Sequence, residues 1–451
     1  QIPPRRSRAE PDRDAVRFSV VRGRTSLGVL VAVALVACGD QASDAPDPTN
    51  PAGSSTNPVT AQSTTAPTTT SQPILASDAP RAVVAEKAPI RPLAAGLNDA
   101  GLDLLRTQDA ETNVVLSPSS IGHALLMARG AADAPTAAAI DEAFGLPRRS
   151  HEAWNAIDQR IAASQRKHVT VTIADRLWPR TGLEPDQEWV DLLASHHGAG
   201  VEPLDLTGDP EASRKRINAW VDEQTKGLIP ELLPSGSIDP SSLLVLTDTL
   251  YFKARWQTTF GKYGPLDSTF TRLDGSTVPV ELMQELELGD RRGEGDGFVG
   301  AEIPYVGDDY SMLLVVPDEG RFAEIRDGLD QAMLDEIDAT FTTGPYELRL
   351  PKWKTKTAVD LFPWLTELGA APGAYPGISD GAFLGGAYHA ADIEVDEWGT
   401  VAAAATGLVF AESGPPDPEL VVAADQPFLY LIRHRASGLV LFAGQVTDPT
   451  A

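Results

Sequence analysis

Residues 393–413 read Ile-Glu-Val-Asp-Glu-Trp-Gly-Thr-Val-Ala-Ala-Ala-Ala-Thr-Gly-Leu-Val-Phe-Ala-Glu-Ser. Ile393 and Val395 alternate with acidic residues as a half-buried strand does, then Gly399 interrupts and a block of small side chains follows. Alanine propensity alone favours a helix over 402–405. Gly399 before the block, Gly407 after it and Gly414-Pro415-Pro416-Asp417-Pro418 beyond make a poor helix site. A long segment of small side chains that leaves a strand is instead suited to sliding into a gap between two strands.

Outward from this segment, the apolar runs Leu243–Phe252, Met312–Val316, Leu348–Leu350 and Phe428–Ile432 are short and bounded by Pro, Gly or Asp, the pattern of strands. Helices are expected earlier. Leu97, Leu102, Leu104 and Leu105 share a helical face, Ser117-Pro118-Ser119-Ser120 starts a helix through Met127, and Ile217, Trp220, Val221 and Leu228 mark another over 213–228. Helices first and strands afterwards give an α+β fold.

The chain has 451 residues with a net charge of −26, which disfavours a nucleic-acid partner because phosphate binding runs on Lys and Arg. Its single Cys excludes a disulfide framework and a Cys-based zinc site. No nucleophile elbow, zinc-protease helix, Walker loop or dinucleotide fingerprint is present. Gly293-Glu294-Gly295-Asp296-Gly297 reads as an acidic surface loop. His196-His197 reads as a solvated pair on a strand, and His151 lacks a second His four residues on. No catalytic residue, metal or cofactor is expected.

Residues 1–37 carry seven Arg and three acids, net +4, and 93–451 carry 27 basic and 55 acidic residues, net −28. Arg17, Arg22 and Arg24 precede an apolar run, Leu27 to Ala37, that is too short to span a bilayer, which takes about 20 residues. Basic flank, short apolar run and small residues are the parts of an export signal. The run ends in Leu35-Val36-Ala37-Cys38-Gly39, which resembles a bacterial lipoprotein cleavage box with Cys38 as the lipidated residue. An alternative start codon read at Val16 would place the basic flank at the N-terminus. Residues 39–80 hold seven Pro and fourteen Ser or Thr, too little apolar surface to offset ordering entropy. The expected organisation is an upstream extension and signal over 1–37, a lipidated Cys and disordered tether over 38–92, and one domain over 93–451. A coil of the tether's length spans roughly 40 Å. The chain is expected to be exported and held at a membrane through Cys38, or shed, and to be monomeric.

Several separated motifs resemble the serpin family. Asn113-Val114-Val115-Leu116-Ser117-Pro118-Ser119-Ser120-Ile121 is similar to its N-x-x-x-S-P-x-S-I signature, followed by Leu125, Gly130-Ala131 and Thr136. Ile217-Asn218-Ala219-Trp220-Val221 with Thr225 and Ile229, and Leu250-Tyr251-Phe252-Lys253-Ala254-Arg255-Trp256 with Phe260, fit the next two. Pro304-Tyr305, Ser311-Met312, Leu350-Pro351-Lys352, His389, Gly399-Thr400 and Pro427-Phe428 complete the series in family order.

The resemblance implies helices packed on a large, mostly antiparallel central sheet with two smaller sheets and an exposed reactive-centre loop. It implies a suicide-substrate inhibitor of serine proteases: the protease forms an acyl-enzyme on the loop, and the cleaved loop enters the main sheet as a new strand. A non-inhibitory serpin acting as a surface binding or chaperone-like protein is the alternative. By resemblance the hinge comprises Glu397, Gly399, Thr400, Ala402, Ala403, Ala404, Ala405 and Thr406, whose small side chains enter a packed sheet without overfilling it. Trp398 and Val401 stand where the family usually carries acids. Family loop length counted from Gly399 places the cleaved bond near Ser413-Gly414, where Ser413 or Ala411 would suit elastase-like or subtilisin-like targets, and the alternative Glu412 would suit a glutamate-specific enzyme. Ser117, Ser120, Asp248 and His389 match the polar cluster under the point where the sheet opens, with Asp248 in the place of an Asn. Asp248 is therefore expected beside His389, favouring its imidazolium form. Lys352, Glu397 and Trp256 match the group at the top of the sheet, where insertion begins. The acidic domain disfavours anionic polysaccharide cofactors.

Overall fold

The computed structural model describes the backbone of residues 28–36, together with residues 77, 79–400 and 420–451. The helices are α1 (Ile90–Thr107), α2 (Pro118–Arg129), α3 (Ala134–Ala143), α4 (Ser150–Ala163), α5 (Gln187–Leu192), α6 (Pro210–Gln224), α7 (Phe322–Gly328), α8 (Gln331–Thr340) and α9 (Phe362–Glu367), with a π-helical turn at Leu193–His197. The strands are β1 (Gly28–Val36), β2 (Val114–Leu116), β3 (Val169–Pro179), β4 (Gly200–Val201), β5 (Ser242–Arg255), β6 (Leu266–Thr271), β7 (Thr277–Leu288), β8 (Arg291–Gly295), β9 (Phe298–Pro304), β10 (Tyr310–Pro317), β11 (Thr342–Thr343), β12 (Tyr346–Pro351), β13 (Trp353–Asp360), β14 (Phe383–Asp396), β15 (Gly399–Thr400), β16 (Val421–Ala423), β17 (Phe428–His434) and β18 (Leu439–Val446).

Three sheets result. The main one has seven strands, in which β13 pairs with β14, β3 lies between β5 and β4, and β1 and β15 both lie between β14 and β5. A second runs β11-β8-β9-β10-β17-β18-β2, equal in strand number but built partly from strands of two and three residues. The third runs β16-β12-β7-β6.

Strand β5 is buried along nearly its whole length, the mark of a strand covered on both faces. One face meets the main core, where α2 is buried on all sides from Pro118 to Ala128. The other meets a separate cluster of Trp178, Ile217, Trp220, Val221 and Val245 beneath α6. Ser117 starts α2 by accepting a bond from the Ser120 amide at 3.3 Å, with Pro118 at the first helical position. The α1–α2 approach depends on glycine: a Cβ on Gly101 would meet Pro118 Cβ at 2.3 Å, and one on Gly122 would meet Leu97 Cδ2 at 2.4 Å.

Three boundaries differ from the sequence reading. Helix α6 begins earlier than 213 because the Asp209 carboxylate caps Ala212 N at 2.9 Å, and it ends by 224 because Lys226 and Gly227 take positive φ values of 55° and 90°. Gly293-Glu294-Gly295 is strand β8 rather than loop. A Cβ on Gly293 would meet Phe341 at 2.8 Å, so the glycine allows this strand to approach the end of α8. The packed body also begins before residue 93: Arg81 pairs with Asp158 and donates to Asn155 Oδ1 at 2.9 Å, and Ala82 N donates to Ser195 O at 2.8 Å. The apolar run expected as an export segment forms β1 in the intact chain, parallel to both β5 and β14.

Candidate functional site: the slot between β5 and β14

At the top of the slot the chain turns back on itself. After Asp396, the Glu397-Trp398 turn brings Gly399 opposite Asp396 and Thr400 opposite Val395, antiparallel to β14. The same two residues pair antiparallel with Arg255 and Ala254 of β5. The Asp396 carboxylate accepts from Trp398 N at 2.8 Å and Gly399 N at 3.1 Å, which fixes the turn. Burial nevertheless raises its pKa, against the lowering effect of those two amides. Gly399 is required by space, since an added Cβ would lie 2.1 Å from Ala254 O.

Trp256 locks this end. Its indole Nε1 donates to Asp396 O at 2.9 Å, its amide donates to Trp398 O at 2.9 Å, and its ring stacks on Tyr305 with centroids 4.4 Å apart. Tyr305 in turn shares a hydrogen bond with Thr400 through Oη and Oγ1 at 2.5 Å, both side chains being fully buried. Truncating a buried Trp to Ala costs about 3–5 kcal/mol. Outside this core, Lys352 Nζ lies 3.0 Å from Glu397 Oε2, half exposed, and contributes about 0–1 kcal/mol. The Arg255 guanidinium lies over the Trp398 ring at 6.0 Å.

Lower down, Ser117 N donates to His389 Nε2 at 3.3 Å, and Ser117 Oγ lies 3.0 Å from Ser119 Oγ. Ser120 is buried beside them. His389 is therefore the Nδ1–H tautomer, its Nδ1 has no hydrogen-bond partner, and burial pushes its pKa down to about 3. The expected Asp248–His389 contact is corrected: both face Val33 of β1, on opposite sides of that strand. Asp248 instead bonds His123 Nδ1, from α2. His389 consequently lacks the carboxylate that would favour its charged form.

The solvated reading of His196-His197 is also corrected. They lie in a π-helical turn, not a strand, and His197 is buried. His197 Nδ1 meets His123 Nε2 at 2.8 Å, and His197 Nε2 meets His151 Nδ1 at 2.9 Å, so three imidazoles run in a row from Asp248 outward. Burial pushes the His151 pKa down to about 3 and that of His197 well below the ordinary value. Asp175 faces Asp248 across β3–β5, and burial, then its neighbour's charge, raises its pKa well above its ordinary value.

The structure thus brings together Trp256, Lys352, Glu397, Gly399 and Thr400 at the top and Ser117, Ser120 and His389 below. Cys38, Val401, Ala402, Ala403, Ala404, Ala405, Thr406, Glu412, Ser413 and Gly414 lie outside the described residues. Sequence reasoning did not assign Tyr305, His123 or Asp175 to a site. Tyr305 sits inside a recognised motif, but its bond to Thr400 joins residues 95 positions apart. His123 and Asp175 carry no local pattern at all.

A family model described as "Serpin (serine protease inhibitor)" matches residues 95–449. The chain is 29% identical over 368 residues to mouse antithrombin-III, covering 77% of this chain and 78% of that protein. It is 31% identical over 358 residues to bovine leukocyte elastase inhibitor, covering 75% and 93% respectively. Among solved structures, the thermophilic serpin tengpin in its native state superposes with a TM-score of 0.71 at 22% identity, covering 82% of this chain and 96% of that one.

Proposed function

The chain belongs to the serpin family, and on that premise we propose that it is a suicide-substrate inhibitor of serine proteases whose cleaved loop enters the slot between β5 and β14. The observation that carries this reading is the position of Gly399 and Thr400, already paired antiparallel with both walls of the slot. Attack by the protease serine on the carbonyl of Ser413 forms the acyl ester and frees the Gly414 amine. Insertion then proceeds downward from Thr400. Continuing its register one residue at a time opposes Ala403 to Tyr251 and Glu412 to Ser242. Small side chains at 402–405 meet the packed faces above and below without overfilling them. Sheet pairing along the slot draws the tethered enzyme across the molecule before the ester is hydrolysed.

Strand β1 holds that same stretch of β5, Ser242 to Tyr251, in the intact chain. Cleavage before Cys38 would release it and leave the slot to the loop, so export processing and inhibitory competence are coupled in this reading. Ser413, or Glu412 as the alternative, directs the inhibitor to elastase-like, subtilisin-like or glutamate-specific enzymes. A relative that inhibits leukocyte elastase supports the first of these. Lipidation at Cys38 would hold the inhibitor at a membrane surface. The test is incubation with elastase-like and subtilisin-like proteases, followed by denaturing electrophoresis. A covalent complex supports inhibition. Cleavage with no complex and no gain in stability favours a non-inhibitory binding protein.

A further inference from the structure

Two carboxylates and one imidazole converge at the inner wall of the slot without enough hydrogen-bond donors to satisfy them. His123 projects from α2, Asp175 from β3 and Asp248 from β5, and one ligand atom of each lies within 4.8 Å of the others. All three are buried, with exposures of 0%, 8% and 0%. Asp248 Oδ2 bonds His123 Nδ1, while Asp175 Oδ1 points at the same nitrogen from 3.7 Å. Asp175 Oδ1 and Asp248 Oδ1 have no hydrogen-bond partner among the described residues. Neither carboxylate pairs with Lys or Arg there. Two buried carboxyl groups without a Lys or Arg partner carry a large desolvation cost when both ionise.

We propose that His123, Asp175 and Asp248 form a site for a zinc-class divalent ion. One imidazole nitrogen and two carboxylate oxygens match zinc's borderline preference, with ligand distances of about 2.0–2.2 Å, whereas magnesium and calcium prefer all-oxygen shells. The binding nitrogen is His123 Nδ1. Its other nitrogen is held by His197 Nδ1 at 2.8 Å, and His197 Nε2 by His151 Nδ1 at 2.9 Å. Polarised outward, with each Nε2–H donating to the next Nδ1, this row leaves the His123 Nδ1 lone pair facing the carboxylates. That is the outer-shell support a metal-bound imidazole requires. Trp154 stacks on the His123 ring at 3.7 Å and fixes its plane. Bound there, the ion joins α2 and β3 to β5, the strand that forms one wall of the slot. The site does not depend on the inhibitory reading.

The test uses the purified chain freed of metal by chelator. Zinc chloride titrated calorimetrically should bind at one ion per chain with an affinity that falls at least tenfold in Asp248→Asn and in Asp175→Asn, and a given zinc concentration should raise the melting temperature of the wild type more than that of either variant. Should the variants misfold, zinc-edge anomalous scattering from wild-type crystals locates the ion directly. Density at His123 Nδ1 is the expected result. Equal zinc affinity in folded variants, density confined to exposed carboxylates, or no stoichiometric binding, which would leave a shared proton as the neutralising charge, each overturn the proposal.

Discussion

A single methyl group at Gly399 tests whether the hinge is seated in the sheet. In Gly399→Ala the new Cβ would lie 2.1 Å from Ala254 O, 2.8 Å from Arg255 Cα and 3.0 Å from Ala254 C. These neighbours are backbone of a paired strand, so relief requires a shift of roughly 1 Å in β5 or departure of β15. Overpacking of this kind costs about 1–3 kcal/mol. Departure breaks the Thr400–Tyr305 bond and leaves a buried hydroxyl unpaired, a cost of about 1–3 kcal/mol that holds the hinge in place in wild type and variant alike. At about 1.4 kcal/mol per tenfold, the overpacking strain lowers the ratio of seated to departed hinge about 5- to 150-fold. Hydrogen exchange of a peptide spanning residues 397–400 should accelerate by that factor, while exchange within β17 and β18 stays unchanged. Because insertion starts from this point, the yield of covalent protease complex should drop in parallel and the cleaved, uncomplexed fraction should rise. Wild-type exchange at the hinge with an unchanged complex yield would refute the placement of Gly399 between β5 and β14.

Other outcomes follow from the same slot. A chain beginning at Cys38 should trap protease faster than one retaining residues 1–37, because β1 and the loop pair with the same residues of β5; equal rates contradict that competition. Burial depresses the His389 pKa to about 3 from an ordinary 6.5, so the unfolded chain binds the extra proton between these values. Its contribution is complete above pH 6.5 and is lost as pH falls, by up to about 2 kcal/mol at pH 5. Urea unfolding at pH 7.5 and pH 5 should show that share of the acid loss disappearing in His389→Asn, and an identical loss in the variant contradicts it. Lys352→Ala should change equilibrium stability by no more than about 1 kcal/mol, because its partner is partly exposed and screened. A larger loss in thermal unfolding would mean that the pair carries more than its exposure allows.

Legibility followed the range of the signal. The Ser117-Pro118 cap, the long β5 run and the Gly399-Thr400 break are local patterns, and each lies in the structure at a helix start, a doubly covered strand and a strand threaded into the sheet. The Lys352–Glu397 contact was carried by resemblance, since no spacing joins residues so far apart. Asp248 pairs with a different imidazole from the one its motif implies, because two imidazoles lie near the slot and only tertiary placement shows that α2 delivers His123 to it. Strand alternation does not apply to His196-His197, because a π-helical turn carries His197 inward. The glycines of β8 looked like loop punctuation because the helix end that they approach is remote in sequence.

Loop insertion that traps a protease leaves two marks, a covalent complex and a stabilised cleaved form. Both are read by incubating the purified protein with elastase-like and subtilisin-like enzymes, resolving the products by denaturing electrophoresis and melting the cleaved protein. A covalent band at the summed mass, cleavage after Ser413 or Glu412, and a large rise in melting temperature of the cleaved form are predicted. Cleavage within 401–419 that yields neither complex nor added stability would contradict it.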